Sequence, residues 1–135
     1  MASSLYNFAR QGFLEGIISW NTGTFRAYLI DTQDYTYDAN HRNIGNISDQ
    51  AKIATTDGAL SGKTTTNGVA DASDCKFQAV TGDVSEVIII FSSGETSTGA
   101  TLICYIDNAT GLPVTPNGGD INLVWDDSTQ KIFKL

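Results

Sequence analysis

The chain has 135 residues and a net charge of −7, from eight Lys and Arg against fifteen Asp and Glu. A chain of this length is read as one domain that folds without metal or disulfide support. Single cations scattered through an acidic chain do not make a surface for nucleic acid or for an anionic bilayer, and no apolar run approaches the roughly eighteen residues of a membrane span.

The opening MASSLYNFARQ lacks a basic segment followed by an apolar one, so no secretory leader is predicted and folding in a cytoplasm is expected. Cys75 and Cys104 are then expected as buried reduced thiols. Ser3 or Ser4 is placed to cap a helix. Leu5, Phe8, Ala9, Gly12 and Phe13 follow at i, i+3, i+4, i+7 and i+8, one stripe of an amphipathic helix that Gly16 would end. Leu14 falls on the opposite side. The helix covers a sheet face on one reading; on another, part of it docks on a neighbouring subunit.

Residues 17–20 are predicted to open the sheet, and residues 21–23 to turn. Residues 24–31 form a strand with Phe25, Ala27 and Leu29 on one face. The tyrosines and acids of residues 31–46 suggest an ordered loop, with a helical turn near residues 41–44. Residues 52–55 read as a strand, Asp57-Gly58 as a turn, 63–66 as a strand, Asn67-Gly68 as a turn and 75–80 as a strand. Residues 84–107 hold two apolar runs, VIIIF and TLICYI, around SSGETSTG. They predict a β-hairpin that hardly alternates, and so lies near the middle of a sheet with both faces covered. A turn at 108–111 leads to a surface or edge segment carrying Pro113 and Pro116. Strands at 121–125 and 131–135 follow, the second expected to tie down the C-terminus. The fold class is therefore mainly β: an antiparallel sandwich or partly open barrel of about seven to eight strands with one N-terminal helix. It is one domain, 1–135, made of a helix over 1–16 and a sheet body over 17–135.

Motifs for chemistry are weak. Gly58 to Thr64, GALSGKT, resembles a phosphate-binding loop, but three residues separate the glycines where four are needed, and threonines follow where a helix should begin. His41 is the sole imidazole, in a polar loop expected to be solvated, and no G-x-S-x-G is present. Most acids are aspartates at turns, where they bond their own backbone. Asp31, Asp34 and Asp38, or Asp126 and Asp127, offer oxygen ligands for calcium without a calcium loop. Asn46 and Asn108 fit the glycosylation pattern but need a secretory route. No catalytic, cofactor-binding or metal site is expected, and no cofactor.

Residues 105–135, YIDNATGLPVTPNGGDINLVWDDSTQKIFKL, resemble the ending of a group of small virion structural proteins encoded by tailed bacteriophages. The likeness extends through LSGKTTTNGVADASDCKFQAVTGD (60–83), FRAYLIDTQDYTYD (25–38) and FARQGFLEGIISW (8–20), nearly the whole chain. The resemblance implies a non-enzymatic virion protein, assembled in the cytoplasm of a bacterial host, with no family catalytic residues to carry over. Two roles fit it: a capsid decoration (cement) protein that clamps the shell from outside, or a neck, tail or baseplate component. Only 17% of the residues are charged, below the roughly 25% of ordinary soluble proteins, which suits a surface packed against the major capsid protein or other virion proteins. A homo-oligomer, a trimer by expectation, would close exposed sheet edges. Candidate partner contacts are Leu5, Phe8, Phe13 and Leu14 on the helix, Tyr35 and Tyr37 in the loop, and Pro113 and Pro116. A third reading is a virion-surface carbohydrate-binding module using Trp20, Tyr35, Tyr37 or Trp125; Trp125 reads better as core.

Overall fold

A computed structural model describes residues 4–55, 58–92, 100–107, 109, 111–125 and 131–135. Its centre is a five-stranded antiparallel sheet built from β1 (Ser4–Leu5), β2 (Phe25–Ile30), β3 (Lys52–Ala54), β6 (Val87–Ser92) and β7 (Leu102–Ile106), in the order β1-β7-β6-β2-β3. β6 and β7 are the predicted hairpin, and β6 is the middle strand. All six of its residues are buried, which is why it does not alternate. Ile89 faces Tyr28 across one ladder and Tyr105 across the other. Burying Val87, Ile88, Ile89, Ile90 and Phe91 stabilises the fold by about 1.5–3 kcal/mol for each side chain.

Helix α1 (Asn7–Glu15) packs on β7; its two buried residues are Ala9 and Gly12, and the Ile18 side chain closes over Gly12. Two small antiparallel sheets complete the body: β4 (Val69–Ala70) with β9 (Phe133–Lys134), and β5 (Cys75–Phe77) with β8 (Ile121–Leu123). Their buried residues join those of the large sheet in one core cluster. Trp20 links the layers, with its ring 4.8 Å from Phe25 and 5.2 Å from Phe133. The chain is thus mainly β with one N-terminal helix, an arrangement that fits a sandwich or a partly open barrel. Among the described residues, no helix is long and apolar enough to cross a membrane.

Several elements differ from the sequence expectation, each for a long-range reason. The helix starts at Asn7, not at a serine cap; Tyr6 holds the cap position without a side-chain bond. Ser4 and Leu5 instead pair with Tyr105 and Cys104, and the Tyr6 N–H donates to the Ile103 carbonyl at 3.1 Å. Satisfying the open edge of β7 outweighs a local cap. Residues 17–20 are not a strand. Gly16 closes the helix in the left-handed conformation (φ 75°), and the Ile17 and Ile18 N–H groups fold back to the Gly12 carbonyl at 2.9 and 3.1 Å. Residues 63–66 contribute a single bridge, Thr64 to Asp71, before a 3-10 turn at Thr66–Gly68 in which Asn67 is left-handed. The helical turn expected near 41–44 lies at Ile44–Asn46. Strand β5 stops at Phe77, ahead of Ala79 at φ 50°. At the C-terminus Ile132 and Phe133 are both buried; Lys131 at φ 47° resets the alternation just before them. The turn at Asp57, most of SSGETSTG, Asn108 and residues 126–130 lie outside the described residues.

Candidate functional site

The loop over residues 31–46 holds a cluster of tyrosines, and it faces inward. Tyr6 is fully buried and Tyr35 is only 5% exposed. Their hydroxyls meet at 2.9 Å, and the Tyr35 hydroxyl lies 2.9 Å from His41 Nδ1. Tyr37 is half-buried, and its hydroxyl donates to the Leu5 carbonyl at 3.0 Å. The Tyr37 ring sits 5.1 Å from that of Tyr6 and 5.0 Å from that of Tyr105. His41 is therefore anchored to the core rather than solvated in its loop. Burial raises the pKa of Tyr6, Tyr35, Tyr37 and Tyr105. At neutral pH all four are neutral phenols that donate and accept hydrogen bonds and do not act as bases. The cluster fastens the loop and β1 to the sheet.

This placement bears on the sugar-binding candidates. Trp20 (5% exposed), Tyr35 (5%) and Trp125 (3%) are core residues, and Tyr37 is engaged on one side by Tyr6 and Tyr105. The Trp125 indole donates to the Ser73 carbonyl at 3.0 Å. Trp20, Tyr35 and Trp125 offer no open ring face on which a sugar stacks, and Tyr37 is half-buried.

The acids are likewise occupied locally. Asp31 Oδ1 accepts from the Gln33 N–H and Asp38 Oδ1 from the Asn40 N–H, each at 2.8 Å. Among the described residues no group of three or more His, Cys, Asp or Glu side chains is placed to hold a metal ion; Asp126 and Asp127 lie outside them. Around Gly58, the carbonyl bonds to the Ala27 N–H and the Cα approaches β2 so closely that an added Cβ would stand 2.5 Å from the Ala27 carbonyl. No helix follows Lys63, so this segment is a sheet lining and not a phosphate cradle. Cys75 and Cys104 are both buried as thiols, and burial pushes the Cys75 thiol up to about 11.

Two surface places have a different character. The first is a groove of about 350 Å³ between α1 and β9, lined by Leu5, Arg10, Phe13, Leu14, Lys134 and Leu135. Phe13 forms part of its floor, 5.7 Å from Phe133. Leu5 reaches the groove from a buried position. Leu14 (89% exposed) and Leu135 (64%) stand in solvent, and Ile17 (66%) follows just beyond the helix end. Phe8 is half-buried on another side of the helix, under the Arg42 guanidinium at 3.7 Å. The second place is Val84, exposed between Asp83 and the buried Ser85. Ser85 and Val114 exchange backbone hydrogen bonds at 2.9 Å, so the loop carrying exposed Pro113 and half-buried Pro116 runs beside Val84.

The structure thus brings Leu5, Phe13 and Leu14 to one groove, Pro113 and Pro116 to a second place, Tyr35 into the interior and Tyr37 to a half-buried position against it. Sequence reasoning missed Arg10, Lys134, Leu135, Ile17 and Val84. Ile17 and Leu135 lie in runs that the sequence predicts as strands, where side chains pack; the fold places both outside. No family model matches the chain, and a search of the curated proteins finds no relative.

Proposed function

We propose that the chain is a non-enzymatic structural protein of a tailed-phage virion, and in particular a decoration protein that binds the outer shell and stabilises it. The observation that carries the protein-binding part is the gathering of exposed Leu14 and Leu135 at one groove, with exposed Ile17 just beyond the helix end, on a domain whose large apolar residues are otherwise mostly built into one core. Grouped exposed apolar surface marks protein contacts, whereas scattered single residues do not. The virion part rests on the resemblance of nearly the whole sequence to small phage structural proteins. A polar, weakly charged, acidic surface suits a partner that is itself protein. The neck, tail or baseplate role is the runner-up, since it asks for the same kind of surface. In the decoration role the major capsid protein is the partner, and the protein stays with the finished particle.

The test is particle stability. Particles of the encoding phage, prepared without this protein, are heated in the presence of a DNA-binding dye. They are expected to release DNA at a lower temperature than complete particles, and added wild-type protein is expected to restore the difference. An identical release temperature with and without the protein would contradict the decoration role.

A further inference from the structure

We propose that copies of this chain associate head to tail, with Val84 and Asp83 of one copy seated in the α1–β9 groove of the next. This rests on reading the exposed apolar residues as protein contacts, and it names the occupant. The large exposed hydrophobics among the described residues are Leu14, Ile17, Val84 and Leu135. Three gather at the groove and the helix end beside it. The fourth, Val84, is a small apolar knob with a carboxylate next to it. Its base is held firmly: Ser85 is fully buried and bridged to Val114, and the Glu86 N–H donates to the Ile30 carbonyl at 3.1 Å. The Glu86 carboxylate accepts from the Thr32 N–H at 2.9 Å, which leaves Asp83 as the exposed acid at the knob.

The charges are complementary. Six of the eight cations have a partner: Lys52 with Asp49, Lys76 with Asp120, Lys131 with Asp71, Arg26 with the Thr55 carbonyl, and Arg42 and Lys63 over the rings of Phe8 and Phe25. Arg10 and Lys134, which flank the groove, have no carboxylate at ion-pair distance among the described residues. A groove with apolar walls and two cations at its rim fits an apolar side chain with an adjacent carboxylate. In a chain of net charge −7, two cations beside one apolar groove are the local complement of an exposed carboxylate on a second copy.

The two halves lie apart on the molecule. The groove sits by the β1 edge, where Leu5 faces Cys104, and beside Phe133. Val84 precedes β6 at the end where Val87 faces Ile30, away from the end where Phe25 faces Ser92 under Trp20. A patch at one place and its complement at another make a heterologous interface, which closes into a ring or runs on as a filament.

Sedimentation velocity of the full chain and two variants, Leu14→Glu in the groove and Val84→Glu at the knob, tests this. Both positions are exposed, and circular dichroism with a melting curve establishes that each variant is folded. Wild type is expected to sediment as an assembly that grows with concentration, and each variant alone as a monomer. A mixture of the two variants is expected to stop at a heterodimer, because only one intact groove and one intact knob remain per pair. A wild-type monomer at every concentration overturns the proposal. So does wild-type-like association of Val84→Glu, which would mean a groove-to-groove contact. A monomeric wild type that still protects particles removes this inference and leaves the virion reading standing; association without any effect on particles does the reverse.

Discussion

At the scale of single residues, buried acids set the alkaline limit of the fold. The Cys75 thiol, ordinarily at 9.0, is pushed up to about 11 by burial, with the nearby Asp74 carboxylate adding to the shift. Tyr6, Tyr35, Tyr37 and Tyr105 are raised from 10.0, in each case chiefly by burial. The fold holds these protons more tightly than the unfolded chain does. Below the unfolded values both states are protonated and stability does not depend on these groups. Above them the unfolded state binds fewer protons, so stability falls as pH rises. The urea midpoint is expected to be insensitive to these groups from neutral pH up to about 9 and to fall between about 9 and 11. Cys75→Ala should remove part of that fall. A midpoint that holds constant through this window would contradict the burial assigned to the five side chains. Residue-scale legibility followed local chemistry. Asn67-Gly68 reads as a turn because both residues tolerate positive φ, and both adopt it. The inward turn of Tyr35 was not readable, since its partners Tyr6 and His41 are fixed by tertiary packing and Tyr6 lies 29 residues away.

At the scale of elements, the N-terminal segment is part of the core and not a detachable arm. Leu5, Tyr6 and Ala9 are buried, β1 closes the β7 edge, and the Asn7 N–H donates to the Ala39 carbonyl at 2.8 Å. Deleting residues 1–16 is therefore expected to unfold the protein, seen as loss of the cooperative melting transition, so it cannot isolate docking. Tyr6→Ala is expected to cost about 3–5 kcal/mol in urea unfolding, as other buried aromatic truncations do; a loss below about 1 kcal/mol, in the range of a surface change, would contradict the packing of β1. The central hairpin was the most legible element. A middle strand covered on both faces is apolar on both faces, and a run such as VIIIF, five of the six residues of β6, states that locally. β1 and β4 were illegible as they stand, whereas β9 lies inside the strand predicted over residues 131–135 and is only shorter. Both have two residues, too few for periodicity, and both exist because a distant backbone edge needs a partner. Leu14 was legible as the odd apolar residue on the polar side of a helix, whereas the groove it walls needed β9 alongside.

At the scale of the whole molecule, one core supports an exposed apolar groove, a separate exposed Val84, and two cations at the groove with no carboxylate at ion-pair distance among the described residues. This architecture suits a small protein that joins an assembly. The tyrosine–histidine cluster, Asp31, Asp38 and the backbone at Gly58 each have a structural task in the fold. The claim that matters is membership of the particle. The direct measurement is the number of copies per virion, by quantitative mass spectrometry of purified particles against the major shell protein. The account predicts copies in simple ratio to the shell subunit. A handful per particle would move the protein to the neck, tail or baseplate and contradict decoration; its absence from purified particles would contradict the virion reading altogether.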